Sequence, residues 1–290
     1  MRGDPATSTV VRAPASSANL GAGFDVFGLA LGLHADVGTG RAPDGARDLD
    51  AAHPARVAFE RAGGSGPIWL RSPIPVARGL GFSGAVRVAA AGLGHVVAGG
   101  TIDRGAERIL AVSSELEGHG DNAAASLHGG FTAYVAGRAL RVPVGPVLAS
   151  ATVVAWIPDV TTSTDRSRRA LTDTVERRSA VANVGRAVQM SLAFERDDPS
   201  LLDGATSDEL HQSARMGAIP GAADAMAAGV AAGAWCGWLS GSGPTVALLA
   251  ARELADEVTA ALPRGGHVKV LDIDSAGAHV VGARPLRPAR

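Results

Sequence analysis

Read as a pattern of apolar and polar positions, the chain opens on a strand, Thr9-Val10-Val11-Arg12-Ala13, that runs into a polar turn from Pro14 to Gly23. Residues 41–54 are polar and read as a loop, residues 55–62 as a short helix and residues 68–71 as a short strand. A glycine-rich loop at Gly79 to Gly84 opens a helix of small residues that ends near Ala98, and a second helix spans about residues 103–114. A strand at residues 131–135 follows the Gly129-Gly130 turn, Pro143 to Ala149 marks a boundary, and residues 152–157 begin a new strand. Beyond it, helices at about 173–196, 206–216, 221–232 and 252–261 alternate with strands at 235–239, 244–249, 267–273 and 278–282. This order predicts an α+β fold in two units, residues 1–150 and 151–290, the second carrying an antiparallel or mixed sheet.

Composition narrows the function. Of 290 residues 46% are hydrophobic and 19% charged, with a net charge of −1, which argues against disorder, electrostatic nucleic-acid binding and a polybasic membrane anchor. The N-terminal stretch has no signal-peptide pattern and no window reaches about 18 uninterrupted apolar residues, so the expected location is the cytoplasm. Cys236 is the only cysteine, which excludes an intramolecular disulfide and a multi-cysteine metal site; between Trp235 and Trp238 it reads as a buried structural thiol. The 27 basic residues include a single lysine, Lys269, in a C-terminal strand behind no phosphate loop. That excludes a Walker A loop, and it leaves only Lys269 for a kinase strand lysine or a Schiff base.

Two segments concentrate chemistry. In Gly79-Leu80-Gly81-Phe82-Ser83-Gly84, backbone amides at a helix N-terminus make an anion site that needs no lysine, and Ser83 could place a hydroxyl on a phosphate or on Mg²⁺. The alternative is a tight turn whose glycines only satisfy the backbone. The same residues fit the dinucleotide fingerprint Gly-x-Gly-x-x-Gly with Asp103 downstream, but Pro73 and Pro75 do not suit the buried strand such a fingerprint must follow. The second segment, Glu117-Gly118-His119-Gly120-Asp121-Asn122, is costly to bury unless it binds something. One histidine makes zinc a poor fit, whereas Glu117 with phosphate oxygens suits magnesium. The plainer reading is a solvated loop with Asp121 capping the next helix. Phe24, Trp235 and Trp238 read as core. His34, His53, His95, His128, His211, His267 and His279 read as structural or surface residues.

Taken in order, Pro14-Ala15-Ser16-Ser17-Ala18-Asn19-Leu20-Gly21-Ala22-Gly23-Phe24-Asp25, Gly79-Leu80-Gly81-x-Ser83, Glu117-Gly118-His119-x-Asp121-Asn122 and Ser240-Gly241-Ser242-Gly243-Pro244 resemble the motifs of the GHMP small-molecule kinases. Ser163-Thr164-x-x-Ser167-Arg168 and Leu210-His211-Gln212-x-x-Arg215 resemble two stretches of the homoserine-phosphorylating branch. The resemblance implies an N-terminal domain like ribosomal protein S5 domain 2, a ferredoxin-like C-terminal domain and an active site between them. It also implies transfer of the γ-phosphoryl group of ATP to the side-chain hydroxyl of L-homoserine in threonine biosynthesis, and a homodimer.

Carried over by motif, Arg78, Gly79, Leu80, Gly81, Phe82, Ser83, Gly84 and Ala85 would wrap the phosphates of ATP, and Ser83 with Glu117 would hold Mg²⁺. Asn19, Asp25, His119 and Asp121 would surround the substrate's amino and hydroxyl groups, Asn122 would sit by the transferring phosphoryl, and Arg168 and Arg215 would clamp the substrate carboxylate. Asp25 and Asp121 are the candidates for a general base. The chain departs from the family pattern at Phe82 and Gly84, which stand where Ser and Ala are usual, at His53-Pro54, and at Ala123-Ala124-Ala125. Phosphorylation of another small alcohol such as threonine, and a binder without turnover, are the alternatives.

Overall fold

The protein is described by a computed structural model that covers residues 8–162 and 164–281. Its first sheet has seven strands. Strand β1 (Val10–Ala18) pairs with β2 (Phe27–Gly38), and all pairings in the sheet are antiparallel. Because β2 is long, its end at Asp36–Gly38 takes β4 (Trp69–Arg71), with β3 (Arg47–Asp48) beyond it, while its start at Phe27–Leu29 takes β5 (Phe131–Val135) and through it β6 (Arg138–Val142).

Two features of this sheet differ from the expected pattern. Pro14 to Ala18 is strand rather than turn: the register shifts between Pro14 and Ala15, and an irregularity of this kind is where a sheet tolerates proline. Strand β2 does not stand out in the sequence because Gly28 and Gly32 interrupt its β-forming residues.

Helices α2 (Phe82–Val97) and α4 (Asp121–His128) pack on this sheet, and α1 (Pro54–Arg61) and α3 (Ile102–Glu117) pack against α2. The buried face of α2 carries Gly84, Ala85, Ala89, Ala90, Ala91, Gly92 and Gly94, so α2 lies close against α1 and β1 and brings its N-terminus up to the end of β1. After the single turn α5 (Pro146–Ala149) the second unit begins. Strands β7 (Thr152–Pro158), β8 (Cys236–Leu239), β9 (Val246–Ala250) and β10 (Gly266–Asp272) form an antiparallel sheet in the order β10-β7-β9-β8. This is the split β-α-β-β-α-β arrangement of a ferredoxin-like unit. Between β7 and β8 run α6 (Thr164–Arg169), α7 (Arg177–Arg196), α8 (Gln212–Met216) and α9 (Ala222–Ala231); α10 (Ala255–Ala261) precedes β10. Of the helix expected over 206–216 only α8 forms, because the Asp208 carboxylate accepts from the amides of His211 and Gln212 and holds the preceding segment irregular.

The alternation along β7 divides the core. Val154 and Trp156 face α9 and α10, while Val153, Ala155 and Ile157 join the same apolar cluster as Val11, Leu29 and Leu93 of the first unit. The two sheets are therefore cemented by one continuous core, and the cleft between them has rigid walls. Beyond β10 the chain returns: Ile273 bridges to Leu31, and β11 (His279–Val280) pairs with β1. Strand β11 thus belongs to the first sheet, although the sequence order groups it with the second unit. Cys236 is buried, and its thiol is pushed up to about 12 by desolvation, as suits a structural thiol. Among the described residues no helix is long and apolar enough to cross a membrane.

Candidate active site

The loop from Ser72 to Gly81 leaves β4 and feeds α2, whose N-cap, Gly81, is left-handed with φ 64°. The first-turn amides of an α-helix have no intrahelical acceptor and carry the positive end of its dipole. The loop's own acceptors are occupied from behind. Ser240 Oγ donates to Gly79 O at 2.5 Å, Thr245 Oγ1 to Arg78 O at 2.5 Å, and the amide of Ser16 to Leu80 O at 3.3 Å. No carbonyl of these three residues is left to oppose an anion in front of the helix. No well-formed strand leads directly into the glycines, and both sheets are antiparallel, so the loop is not a doubly wound dinucleotide site.

A cavity of about 450 Å³ lies in front of this helix end. Of the residues predicted from sequence, Asn19, Asp25, Arg78 to Gly84, Glu117, His119, Asp121, Asn122, Arg168 and Arg215 all line it. Ala85 does not: it is wholly buried on α2 and its amide closes the first helical turn on Gly81 O. Arg78 lines the cavity, but its guanidinium donates to the carbonyls of Val160 and Asp159 and ties the loop to the end of β7. Phe82 is half-buried, with its side chain against the core of the first unit.

On the wall beside the start of α2, α3 ends at Glu117, where Gly118 turns the chain left-handed, and α4 begins at Asp121. Glu117 Oε1 accepts from Arg87 Nη1 at 2.6 Å, and the same nitrogen also donates to Ser83 Oγ. The other carboxylate oxygen, Glu117 Oε2, is buried without a hydrogen-bond partner. His119 Nδ1 donates to Asp121 Oδ1 at 2.6 Å. Burial disfavours the charged imidazole, but the Asp121 hydrogen bond and charge, with Glu117 further off, outweigh it and hold His119 above its ordinary value. Asp121 Oδ1 also accepts from the amide of Asn122 at 2.7 Å, while Asn122 Oδ1 accepts from Ser16 Oγ at 2.9 Å. That last contact fixes the amide orientation of Asn122.

The opposite wall is built on the turn after β1. Asn19, Leu20, Gly21 and Asp25 all have positive φ, and Asn19 pins the turn by donating to Gly241 O at 2.9 Å and accepting from the Asp25 amide at 3.0 Å. Asp25 meets Arg168 through two bonds, Nη1 to Oδ2 at 2.8 Å and Nη2 to Oδ1 at 2.7 Å. Arg215 is buried; its Nη1 donates to His211 Nδ1 at 3.2 Å and its Nε has no partner. Burial, and then the charge of Arg168, draw its pKa below the usual arginine value. Phe24 stacks on His211 at 4.8 Å and lies 5.0 Å from the Arg215 guanidinium carbon and 5.8 Å from that of Arg168.

Several residues reach the site without having been expected there. Phe24 is a half-buried platform for two guanidinium groups rather than core. His211 buttresses the wall that carries Asp25, with Nε2 bonded to Gly21 O at 2.9 Å. Thr162, Gly241 and Ser242 complete the rim. Arg87 lies one helical turn beyond Ser83, a spacing visible in the sequence once the loop is taken to open a helix. Ser163, part of one of the motifs, lies outside the described residues. Among the described residues no three His, Cys, Asp or Glu side chains converge as a protein-only metal cage.

Residues 51–130 match the profile of the GHMP kinases N terminal domain. The chain is 38% identical over 262 residues to a homoserine kinase of Moorella thermoacetica, covering 82% of this chain and 86% of that protein. It is 36% identical to a homoserine kinase of Streptomyces avermitilis over 95% of this chain and 96% of that one. The crystal structure of a homoserine kinase from Cytophaga hutchinsonii superposes with a TM-score of 0.82 at 25% identity, covering 97% of this chain and 99% of that one. With this similarity spread over both units of the fold, the chain belongs to the homoserine kinase family of GHMP kinases.

Proposed function

We propose that this cleft transfers the γ-phosphoryl group of ATP to the side-chain hydroxyl of L-homoserine, giving O-phospho-L-homoserine for threonine biosynthesis. The observation that carries the reading is the facing of two binding surfaces across one cavity. On one side are the amides at the start of α2; on the other is a carboxylate paired with an arginine beside a second, buried arginine. An α-amino acid is a zwitterion, and Asp25 and Arg168 offer its two charges their complements, while Arg215 adds a second cation for the carboxylate. Asn19 holds the turn that presents Asp25.

The phosphates of ATP belong on the loop Arg78 to Gly84, whose amides supply the donors, while Ala85 behind it only closes the first helical turn. Ser83 and Glu117 fit Mg²⁺: one hydroxyl and one carboxylate with a buried, unpartnered oxygen make a hard but incomplete donor set, which phosphate oxygens would complete. Bound there, the ion would neutralise charge on the phosphates. Phosphoryl transfer needs positioning and charge neutralisation more than a strong base. The residues agree with that demand. Asp121 Oδ1 accepts from His119 and from the Asn122 amide, and Asp25 accepts from Arg168 through both oxygens, so both carboxylates are held in place by their neighbours. Asn122, held by Ser16, would sit by the transferring phosphoryl, and His119 with Asp121 would surround the reacting hydroxyl.

The same reading assigns the first 150 residues to nucleotide binding, and takes the working enzyme as a cytoplasmic homodimer, which sedimentation equilibrium checks. The deciding experiment is an ADP-release assay with Mg²⁺ and ATP over a panel of L-homoserine, L-threonine, L-serine and small polyols. L-Homoserine should give the highest kcat/KM. Turnover with another alcohol and none with homoserine would overturn the substrate and leave a GHMP kinase of different specificity.

A further inference from the structure

Arg87 is the one charged side chain among the residues of α2 from Phe82 to Leu93. It lies one turn beyond Ser83, and a helical side chain leans toward the N-terminus, so its guanidinium is brought level with the phosphate loop. Both partners it finds there, Ser83 and Glu117, are the pair read above as ligands of the divalent ion, and the inference rests on that reading. The way it holds them is unusual for an arginine. A guanidinium normally engages a carboxylate as a fork. Here Nη1 alone makes both bonds, Nε is buried without a partner, and Glu117 Oε2 is buried without one too. The Arg87 and Glu117 side chains are only 14% and 10% exposed, so the pair is little relieved by solvent. Removing the cation would leave a largely desolvated carboxylate uncompensated. One nitrogen thus sits between a hydroxyl and a carboxylate as a compact cation would.

We propose that Arg87 is the resident counter-cation of the metal site. In the nucleotide-free enzyme it neutralises Glu117 and blocks Ser83, so a free divalent ion competes poorly. When nucleotide enters, its phosphates give the guanidinium a richer set of acceptors, including partners for Nε, and Arg87 transfers to them as the ion takes Ser83 and Glu117. The metal is then admitted together with the nucleotide rather than before it, and Arg87 becomes a side-chain cation on the phosphates of a protein whose phosphate loop has no lysine.

The test is Mn²⁺ titration of the nucleotide-free protein, read by the electron paramagnetic resonance signal of the free ion, for wild type, Arg87→Met, Glu117→Gln and the double variant. Arg87→Met should bind Mn²⁺ at least about tenfold more tightly than wild type, and adding Glu117→Gln should abolish that gain. In calorimetric titration with ATP and a chelator, Arg87→Met should bind the metal-free nucleotide at least about fivefold more weakly. Arg87→Gln reads the same quantities should the methionine variant not fold. An Mn²⁺ affinity within about twofold of wild type, or a gain that survives Glu117→Gln, overturns the proposal. Mn²⁺ binding to the ATP-loaded Glu117→Gln protein separates the two levels. If that binding is weakened while the Arg87 variants leave the nucleotide-free affinity unchanged, only the role of Arg87 falls. If Glu117→Gln has no effect with ATP present, the metal assignment falls and takes the proposal with it.

Discussion

Arg168 holds Asp25 through both guanidinium nitrogens, at 2.8 and 2.7 Å, across 143 positions of sequence. The pair joins the turn after β1 to α6 and closes one side of the cleft. Both side chains are more than one-third exposed, at 37% and 35%, so the bond is screened by water and can be exchanged for a ligand. In the proposed function, a substrate with an ammonium and a carboxylate would replace it with two new ion pairs. Arg168→Met and Asp25→Asn should each lower kcat/KM for homoserine by about 10- to 100-fold, or about 1.4 to 2.7 kcal/mol, chiefly through KM. The KM for ATP should change by less than about threefold, and stability by no more than about 1 kcal/mol. Steady-state kinetics in both substrates, with thermal melts, check this; an unchanged homoserine KM in Arg168→Met would refute the pairing role.

Arg215 offers the opposite balance. It is buried, lies near a second arginine and has an unpartnered Nε, so burial and repulsion both disfavour it in the ligand-free protein. Arg215→Met should cost no more than about 2 kcal/mol of stability, because no buried carboxylate is orphaned and the main loss is the donor to the buried His211 Nδ1. Homoserine affinity measured by calorimetry should nonetheless fall by at least about tenfold. A variant that loses stability and keeps its affinity would show a structural arginine instead.

His119 makes the fold pH-sensitive in a defined direction. Its pKa is raised above 6.5 in the folded protein, against the effect of burial, by the bond to Asp121. A base with a raised folded pKa contributes stability that is fully present below its unfolded value and lost as pH rises through the folded one. His211 runs the other way, since burial lowers its pKa and the folded state resists its protonation as the pH falls. Comparing wild type with His119→Gln cancels that second effect. The stability gap between them should be widest below pH 6.5 and narrow as pH rises past the folded value. Chemical denaturation from about pH 5.5 to about pH 8.5 reads it, and a gap independent of pH would contradict the ion pair.

Gly79 couples the glycine loop before α2 to the second unit. Its φ is +74°, and a Cβ there would stand 2.3 Å from Ser240 O and 2.8 Å from Gly243 O, both backbone atoms that cannot step aside singly. Gly79→Ala should cost about 2–4 kcal/mol and weaken ATP binding, because loop and turn must separate. Gly66, with φ +93° and open space around it, is the control for backbone strain alone, and Gly66→Ala should cost only about 1 kcal/mol. Urea midpoints of the two variants should differ accordingly.

Lys269, the only lysine, pairs with Ala155 across β10 and β7 and does not line the cavity. Lys269→Met should keep kcat within about twofold of wild type. A large loss would mean that the amides of α2 and the arginines do not suffice for the phosphates.

Much of the cleft is legible in the chain because its chemistry is local. A glycine loop before a small-residue helix, and a carboxylate, imidazole and amide packed into a short turn, announce an anion site and a polar centre without tertiary information. Composition adds to this: with one lysine, phosphate binding has to rest on backbone amides and other cations. The strand at Pro14 to Ala18 and all of β2 were less visible, since proline and glycine signal breaks that the sheet's irregularity and pairing partners override.

What the sequence by itself determined is which chemical groups are available and which short turns present them. The tertiary structure alone decided how those groups pair. Nothing local brings Asp25 to Arg168, Phe24 under two guanidiniums, Ser240 behind Gly79, or β11 back to β1. These relations come from two sheets closing on one apolar core, where burial is non-directional and only the packed register selects which polar side chains meet. The exchange of Arg87 between a carboxylate and a nucleotide is likewise unreadable from the chain, because Glu117 reaches it only when α2 and α3 pack side by side.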